Sequence, residues 1–339
     1  MARDLAAVAD LIRDYISPEG ASRYYQITGI TESDFTPIRP RKFEGSIFAI
    51  DGSNAAIFDL AAAKVNYIRT GYVVYRGTSW QRTEISNEIF VADQESYAQT
   101  FERDLKDIFG IAETFTLEET ELDRLSTYFR ELQEYTALFE ALDKAQEGDL
   151  VLYDGEFAFW KEGPFKAVLD QIFERAENVG ADLLGISKSS TFSWNAGLSR
   201  PFVQDTARIG SQVIPDRPWM IDLKDKNISP RPDSSWKGKI RVVKFHPQAG
   251  RAFRVDVPPL IDADRALSHA ATYSSSAECL GYPHALFRAH REIRITDQES
   301  WLLRRALLDE LGFRGVSEEQ VRGFLDYHEF MEMRPGRML

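Results

Sequence analysis

Residues 47–53 read IFAIDGS, and residues 150–156 repeat this pattern as LVLYDGE, which makes the pair the most informative feature of the sequence. Each stretch is an apolar run of the kind that forms a buried strand. Each apolar run is followed by an aspartate and a glycine, and the glycine lets the backbone turn at the rim of a sheet. If the two strands are neighbours, Asp51 and Asp154 converge, and converging carboxylates repel each other unless a cation lies between them or one is protonated. The pair therefore predicts a metal site; the alternative is two unrelated turns that use Asp-Gly for its dihedral freedom.

The order of the surrounding elements supports the first interpretation. A meander followed by strands that alternate with helices predicts the α/β class, with a mixed sheet and helices packed on it. Asp51 then ends the first strand and Asp154 ends the fourth. In a ribonuclease-H-like arrangement these two strands are neighbours, and the long helix passes over them. The predicted strands are residues 46–51, 65–75, 80–91, 150–154 and 181–186, and the predicted helices are 96–109, 117–144 and 164–178.

The long helix offers a third carboxylate. At about 100° per residue, Glu131 lies nearest the centre of the apolar stripe, Glu134 lies further round and Glu140 lies beyond. A glutamate turned toward the sheet is costly unless it is paired or metal-bound. Glu131 is therefore the predicted third ligand and Glu134 the alternative, while an edge glutamate that reaches solvent is the other interpretation. Three carboxylates without cysteine suit Mg²⁺ or Mn²⁺, and such a centre suits hydrolysis of a phosphodiester.

Further candidates follow along the chain. Lys188 comes directly after the strand at 181–186, where its ammonium could meet a phosphate or simply be exposed in a loop. Tyr282 precedes a proline, which holds it extended with a free hydroxyl, and His290 is a candidate base or ligand. A C-terminal β-hairpin and helical region is also predicted, from strands at 219–223, 240–245 and 252–257 and helices at 260–270, 284–291, 297–312 and 317–331.

The overall composition is that of a soluble globular protein, with 43% apolar and 28% charged residues among 339. The single cysteine, Cys279, excludes an intramolecular disulfide and a cysteine-based zinc site, and suits a reducing compartment. No run approaches about 18 consecutive apolar residues, and no signal pattern is present. The expected location is cytoplasmic, without membrane association.

The net charge of −12 argues against a nucleic-acid partner, but the basic residues are clustered. Residues 224–254 carry nine lysines and arginines against two aspartates, interleaved with Trp236, Phe245 and Phe253. This segment predicts a surface that follows phosphates and stacks bases. The alternative is a solvated hairpin that is rich in lysine and arginine.

At these residues the chain resembles the NurA nuclease family. The resemblance implies a ribonuclease-H-like core, a ring-like homodimer, and Mn²⁺-dependent endonuclease and 5′-to-3′ exonuclease activity on DNA. It also implies a partnership with the HerA hexameric ATPase in resecting DNA double-strand-break ends. The resemblance spans roughly residues 43–300 and rests on a long helix with glutamate and on residues 50–53 (IDGS), 152–155 (LYDG), 185–188 (GISK), 281–283 (GYP) and 289–291 (AHR).

The resemblance also implies roles for particular residues. Asp51, Glu131 and Asp154 would hold the metal, and three further residues, Lys188, Tyr282 and His290, would contact the substrate or aid the chemistry. One departure is Glu156, which stands where the family usually has serine. A carboxylate there would tune metal affinity or face solvent.

The chain is expected to comprise an N-terminal helical arm at 1–42, a nuclease domain at 43–312 with its core at about 43–190, and a C-terminal helix at 313–339. Two other functions are open to such a chain. A non-catalytic DNA-binding adaptor of a HerA-type ATPase would be expected to lose one or more carboxylates, and all three positions are filled. An ATP-handling enzyme of the actin-like branch would need glycine-rich phosphate loops, which the sequence lacks.

Overall fold

The computed structural model describes residues 5–17, 20–60, 62–93, 97–112, 114, 124–157, 164–194, 200–231, 236 and 238–325. The strands are β1 (Thr36–Pro37), β2 (Ser46–Asp59), β3 (Ala63–Arg76), β4 (Ser79–Asp93), β5 (Leu150–Tyr153), β6 (Asp182–Ser187), β7 (Ser193–Trp194), β8 (Trp219–Asp222), β9 (Ile228–Ser229), β10 (Lys239–Lys244) and β11 (Phe253–Val257). The helices are α1 (Leu5–Ile16), α2 (Ala21–Thr28), α3 (Tyr97–Phe109), α4 (Leu125–Lys144), α5 (Pro164–Val179), α6 (Phe202–Val213), α7 (Ala263–Thr272), α8 (His284–Ile293), α9 (Asp297–Phe313) and α10 (Glu318–Arg322).

Within these residues a nine-stranded mixed sheet has the order β1-β8-β10-β11-β6-β5-β2-β3-β4, and β7 pairs with β9 separately. The central strands β2, β5 and β6 are parallel neighbours, whereas the flanking pairs are antiparallel. The predicted mixed sheet with flanking helices is confirmed. The predicted meander is also present as β2, β3 and β4, each longer than the sequence pattern indicated.

Asp51 lies inside a strand, so the prediction that it ends one is wrong. β2 continues to Asp59 because β3 pairs with it along its whole length. On its other side β2 pairs with β5 only from Ile47 to Ile50, where Ile50 is opposite Tyr153. Asp51 is therefore the first residue of β2 after the stretch that pairs with β5.

The sheet is covered on both faces, which explains the continuous apolar run in β2. Phe48 and Ile50 pack in a core with α3, α4 and α5. Ile47 and Ala49, which alternate with them, pack in a second core with α7 and α8. A third core joins α2 and α6 to β8 and β10.

The basic segment at 224–254 lies partly in this sheet, and its charged residues divide between the interior and the surface. β10 and β11 are interior strands, and Arg241, Lys244 and Arg254 are each less than a tenth exposed. Phe245 and Phe253 are core residues rather than stacking platforms. The predicted hairpin exists as β10 and β11. Its aromatic residues Phe245 and Phe253 are buried, whereas four of the basic residues of the segment are exposed: Lys224, Arg231, Lys239 and Arg251.

The segment between β6 and β8 contains α6, which the sequence pattern did not reveal because Asp205 and Gly210 interrupt its apolar spacing; both are buried. The start of the predicted 117–144 helix and the end of the predicted 317–331 helix fall outside the described residues. Among the described residues, no helix combines the length and the apolar character that crossing a membrane requires.

Candidate metal centre

Asp51 and Asp154 converge as the repeated pattern predicts. The parallel register of β2 and β5 places them one residue beyond the Ile50–Tyr153 pair, and the Asp154 amide donates to the Ile50 carbonyl at 3.0 Å. Asp51, Asp154 and His290 each offer a ligand atom within 4.8 Å of the others. His290 Nδ1 lies 2.9 Å from Asp51 Oδ2, and because an ionised carboxylate only accepts, Nδ1 is the donor.

Glu134 approaches the C-terminal end of β5 from the other face of the sheet. Alternation along β2 puts Asp51 on the α8 side and Gly52 on the α4 side. The Glu134 side chain lies against Gly52, and its Oε2 accepts a hydrogen bond from the Tyr153 hydroxyl at 2.8 Å. Its Oε1 lies 3.4 Å from Arg130 Nε. A glycine inside a strand marks such a close approach.

The expected orientation of the long helix needs correction, since Glu134 and not Glu131 is the buried glutamate. Glu134 is 3% exposed, whereas Glu131 is half-buried at the cleft and accepts from the Tyr135 hydroxyl at 2.7 Å. Ala137 and Ala141 follow Glu134 at i+3 and i+7, and both are buried. A stripe defined by large apolar side chains missed these alanines, and therefore placed the buried face too far from Glu134.

The acidic groups of this centre repel one another, and the pKa values of Asp154 and Glu134 are raised. Burial, reinforced by the charge of Asp51, raises the pKa of Asp154 to about 6, and Lys188 opposes this shift. Burial also raises the pKa of Glu134 to about 7, opposed by Arg130 and reinforced by Asp51 and Asp154. Ionising buried, clustered carboxylates is unfavourable unless a cation compensates them. Their oxygen donors fit a divalent cation such as Mg²⁺ or Mn²⁺.

The centre opens into a cleft of about 1010 Å³ that contains Lys188 as well as both glutamates. Lys188 forms an ion pair with Asp154 and lies 5.6 Å from the Tyr282 ring centroid. Tyr282 is 8% exposed, so its hydroxyl is not free at the surface as expected. Burial and the neighbouring charge of Asp154 raise the pKa of Tyr282 well above its usual range.

Sequence reasoning missed several contributors to this cleft, among them Arg124, Arg130 and Tyr153. Arg130 precedes Glu134 by four residues on α4, a spacing at which oppositely charged side chains meet. That spacing was the signal that could have identified both residues of the pair. Tyr153 carried no comparable signal, because a tyrosine in an apolar strand reads as core.

Replacing Gly52 by alanine tests the close approach of α4 to β2. A Cβ at position 52 would lie 2.2 Å from Glu134 Oε1 and 2.7 Å from its Cγ, so side chain or strand must move. We expect the free energy of unfolding to fall by about 1–3 kcal/mol in chemical denaturation. Gly312→Ala is the matched control, because nothing lies within 4 Å of its added Cβ. Equal stabilities of the two variants would contradict this packing.

The mixed sheet with helices on both faces is a ribonuclease-H-like fold. The profile described as NurA domain matches residues 45–295, and the chain therefore belongs to the NurA family of nucleases. The crystal structure of the NurA nuclease from Sulfolobus solfataricus is similar at 14% identity, covering 99% of this chain and 100% of that one with a TM-score of 0.53. Another NurA crystal structure is 11% identical, covers 90% and 96% of the two chains, and gives a TM-score of 0.56. The chain matches none of the curated proteins with which it was compared.

Proposed function

We propose that this chain is a metal-dependent deoxyribonuclease. The observation that carries the proposal is the convergence of Asp51 and Asp154 where the parallel pairing of β2 and β5 stops, in a cleft that also contains Glu134 and Lys188. Membership of the NurA family supports DNA as the substrate.

Asp51, Asp154 and Glu134 are the residues we propose to hold the cation, which is Mn²⁺ in this proposal, with Mg²⁺ as the alternative. When bound, such a cation supplies Lewis-acid activation of water and neutralises charge on the phosphate. Glu131, the ligand expected from the sequence, lies at the rim of the cleft, and we propose that it does not bind the cation directly. His290 stands beside Asp51 and could complete the ligand set.

The chain's own cationic and titratable groups have separate proposed roles. His290 donates through Nδ1 to Asp51, which leaves Nε2 as the ring nitrogen that can accept a proton. Lys188 is 40% exposed and can contact a scissile phosphate from the side of Asp154. Tyr282 packs beside both Lys188 and Asp154 and is proposed to orient them or to meet the phosphate.

Membership of the NurA family supports a proposal for the finer activity. We propose endonuclease activity on single strands and 5′-to-3′ exonuclease activity on single- and double-stranded DNA, in double-strand-break end resection. The proposed partners are a second copy of this chain in a homodimer and a HerA-type hexameric ATPase. A cytoplasmic location and the division into segments 1–42, 43–312 and 313–339 are likewise proposals.

The decisive experiment incubates the purified full chain with single- and double-stranded DNA, labelled at either end, with Mn²⁺, Mg²⁺ or EDTA. We expect cleavage with Mn²⁺, weaker cleavage with Mg²⁺ and none with EDTA. Fragments that shorten from the 5′ end would support the proposed polarity. DNA binding without cleavage under any of these conditions would contradict a nuclease and favour the adaptor role.

Cation affinity should rise with pH. The raised pKa values of Asp154 and Glu134 mean that both carry protons near pH 5.5, which a cation must displace. We expect Mn²⁺ to bind about tenfold or more weakly at pH 5.5 than at pH 8, with proton release measurable by calorimetry in buffers of different ionisation enthalpy.

The same shifts predict the pH dependence of stability without a cation. Because these acids hold protons more tightly in the folded than in the unfolded protein, their contribution to stability is full below their ordinary pKa values. It is lost as the pH rises through about 6 to 7. Mn²⁺ affinity that does not change with pH, without proton release, would contradict both expectations.

A further inference from the structure

Arg254 is a buried arginine next to the candidate centre. It lies on β11 and is 1% exposed, so its charge must be compensated inside the protein. The antiparallel register pairs it with Ser187, the last residue of β6 and the neighbour of Lys188. Alternation along β11 places Arg254 and Asp256 on the same face of the sheet.

Arg254 and Asp256 together hold the segment that follows β5. Arg254 Nη1 forms an ion pair with the carboxylate of Glu156. Its Nε and Nη2 donate to the two oxygens of Asp256, each at 2.9 Å. Asp256 Oδ2 also accepts from the backbone amide of Phe157 at 2.8 Å. Glu156 and Phe157, the second and third residues after Asp154, are therefore attached to the sheet through one buried guanidinium and its partner.

The same guanidinium contacts the segment that follows β6. Its central carbon lies 4.7 Å from the ring centroid of Phe192, a cation–π distance. Phe192 is 2% exposed and follows Lys188 by four residues. One side chain thus contacts both segments that leave the sheet at the cleft, and those segments carry the ion-paired Asp154 and Lys188.

We propose that Arg254 is a positioning residue that holds the Asp154 segment and the Lys188 segment in one fixed arrangement, with Glu156 as its attachment to the first. Its effect on cleavage rests on the proposed nuclease function. A planar guanidinium suits this task because it donates in several fixed directions while its face stacks on a ring. The carboxylate at position 156 then neither binds the cation nor faces solvent freely, but anchors the segment to Arg254.

Hydrogen exchange of the free protein, without DNA or added metal, tests the structural half of the proposal. Arg254→Lys keeps the positive charge but loses the planar guanidinium with its several donors. We expect amide exchange at residues 154–157 and 188–192 to accelerate about tenfold or more, and exchange in α4 to stay unchanged. Glu156→Gln should accelerate exchange at 154–157 alone. Arg241→Lys is the matched control: Arg241 is also buried, on the neighbouring β10, but pairs with Asp264, so both segments should exchange as in the wild type.

Wild-type exchange at both segments in Arg254→Lys, or acceleration spread evenly over the chain, would overturn the proposal. If Arg254→Lys does not fold, the Glu156→Gln result at residues 154–157 decides in the same way.

Kinetics test the positioning half. Glu156→Gln should lower kcat about tenfold while KM for DNA stays within about twofold, because the cleft is intact but its acidic centre is less well held. If the segments loosen and kcat does not change, the positioning role is overturned. If the wild type cleaves no DNA, the nuclease proposal fails, and the exchange experiment still judges whether Arg254 holds the two segments.

Discussion

Asp51→Asn and Asp154→Asn should each reduce DNA cleavage roughly a thousandfold or more, equivalent to about 4 kcal/mol of transition-state stabilisation. Each variant removes one charged oxygen donor from a cluster whose ligand atoms lie within 4.8 Å of one another. Both variants should remain folded, because asparagine keeps the shape of the side chain and removes one of two charges that repel each other. Single-turnover cleavage at saturating Mn²⁺ and circular dichroism measure these two expectations.

Asp149→Asn is the matched control for this pair. Asp149 is a buried aspartate at the other end of the same strand region, where its oxygens accept from the amides of Ser46 and Gln146. Its substitution should lower the free energy of unfolding by about 1–2 kcal/mol and leave the cleavage rate close to wild type. Cleavage that survives in both Asp51→Asn and Asp154→Asn would contradict the proposed centre, whereas equal loss in Asp149→Asn would reveal an unspecific effect of destabilisation.

The parts of this site that could be predicted are those that depend on local sequence and parallel pairing. Two apolar runs of equal length, each ending in Asp-Gly, form neighbouring parallel strands in register from Ile47 and Leu150. Register alone then brings Asp51 and Asp154 together. Oxygen donors without cysteine also favour a hard divalent cation over zinc.

What could not be predicted depends on partners distant in the chain. β2 continues beyond Asp51 because β3 supplies hydrogen bonds there. The sequence of β2 itself does not indicate the longer strand. The sequence indicated that the basic residues of β10 and β11 form an exposed surface. Their buried partners, such as Asp256 for Arg254, can be identified only when the strands are placed side by side. Burial of Glu134 depends on small alanines that let α4 approach the sheet. A stripe that is defined by large apolar residues leaves these alanines out.

Glu134→Gln and Glu131→Gln separate the two glutamates that the sequence offered as the third ligand. We expect Glu134→Gln to lower cleavage about a hundredfold or more, because Glu134 is buried against Gly52 and close enough for the charges of Asp51 and Asp154 to raise its pKa. Glu131→Gln should change the rate by less than about fivefold, since Glu131 is half-buried at the rim and accepts from Tyr135. Rates measured across a range of Mn²⁺ concentrations distinguish weaker cation binding from slower chemistry.

The two variants also differ in their expected stability, which strengthens the comparison. Glutamine at position 134 removes an ionised group whose burial is unfavourable at pH 8, so without a cation Glu134→Gln should be as stable as the wild type or more stable. Reduced cleavage then cannot be attributed to unfolding. The reverse ranking, with Glu131→Gln the inactive variant, would return the third-ligand role to Glu131 and require α4 to rotate when the cation binds.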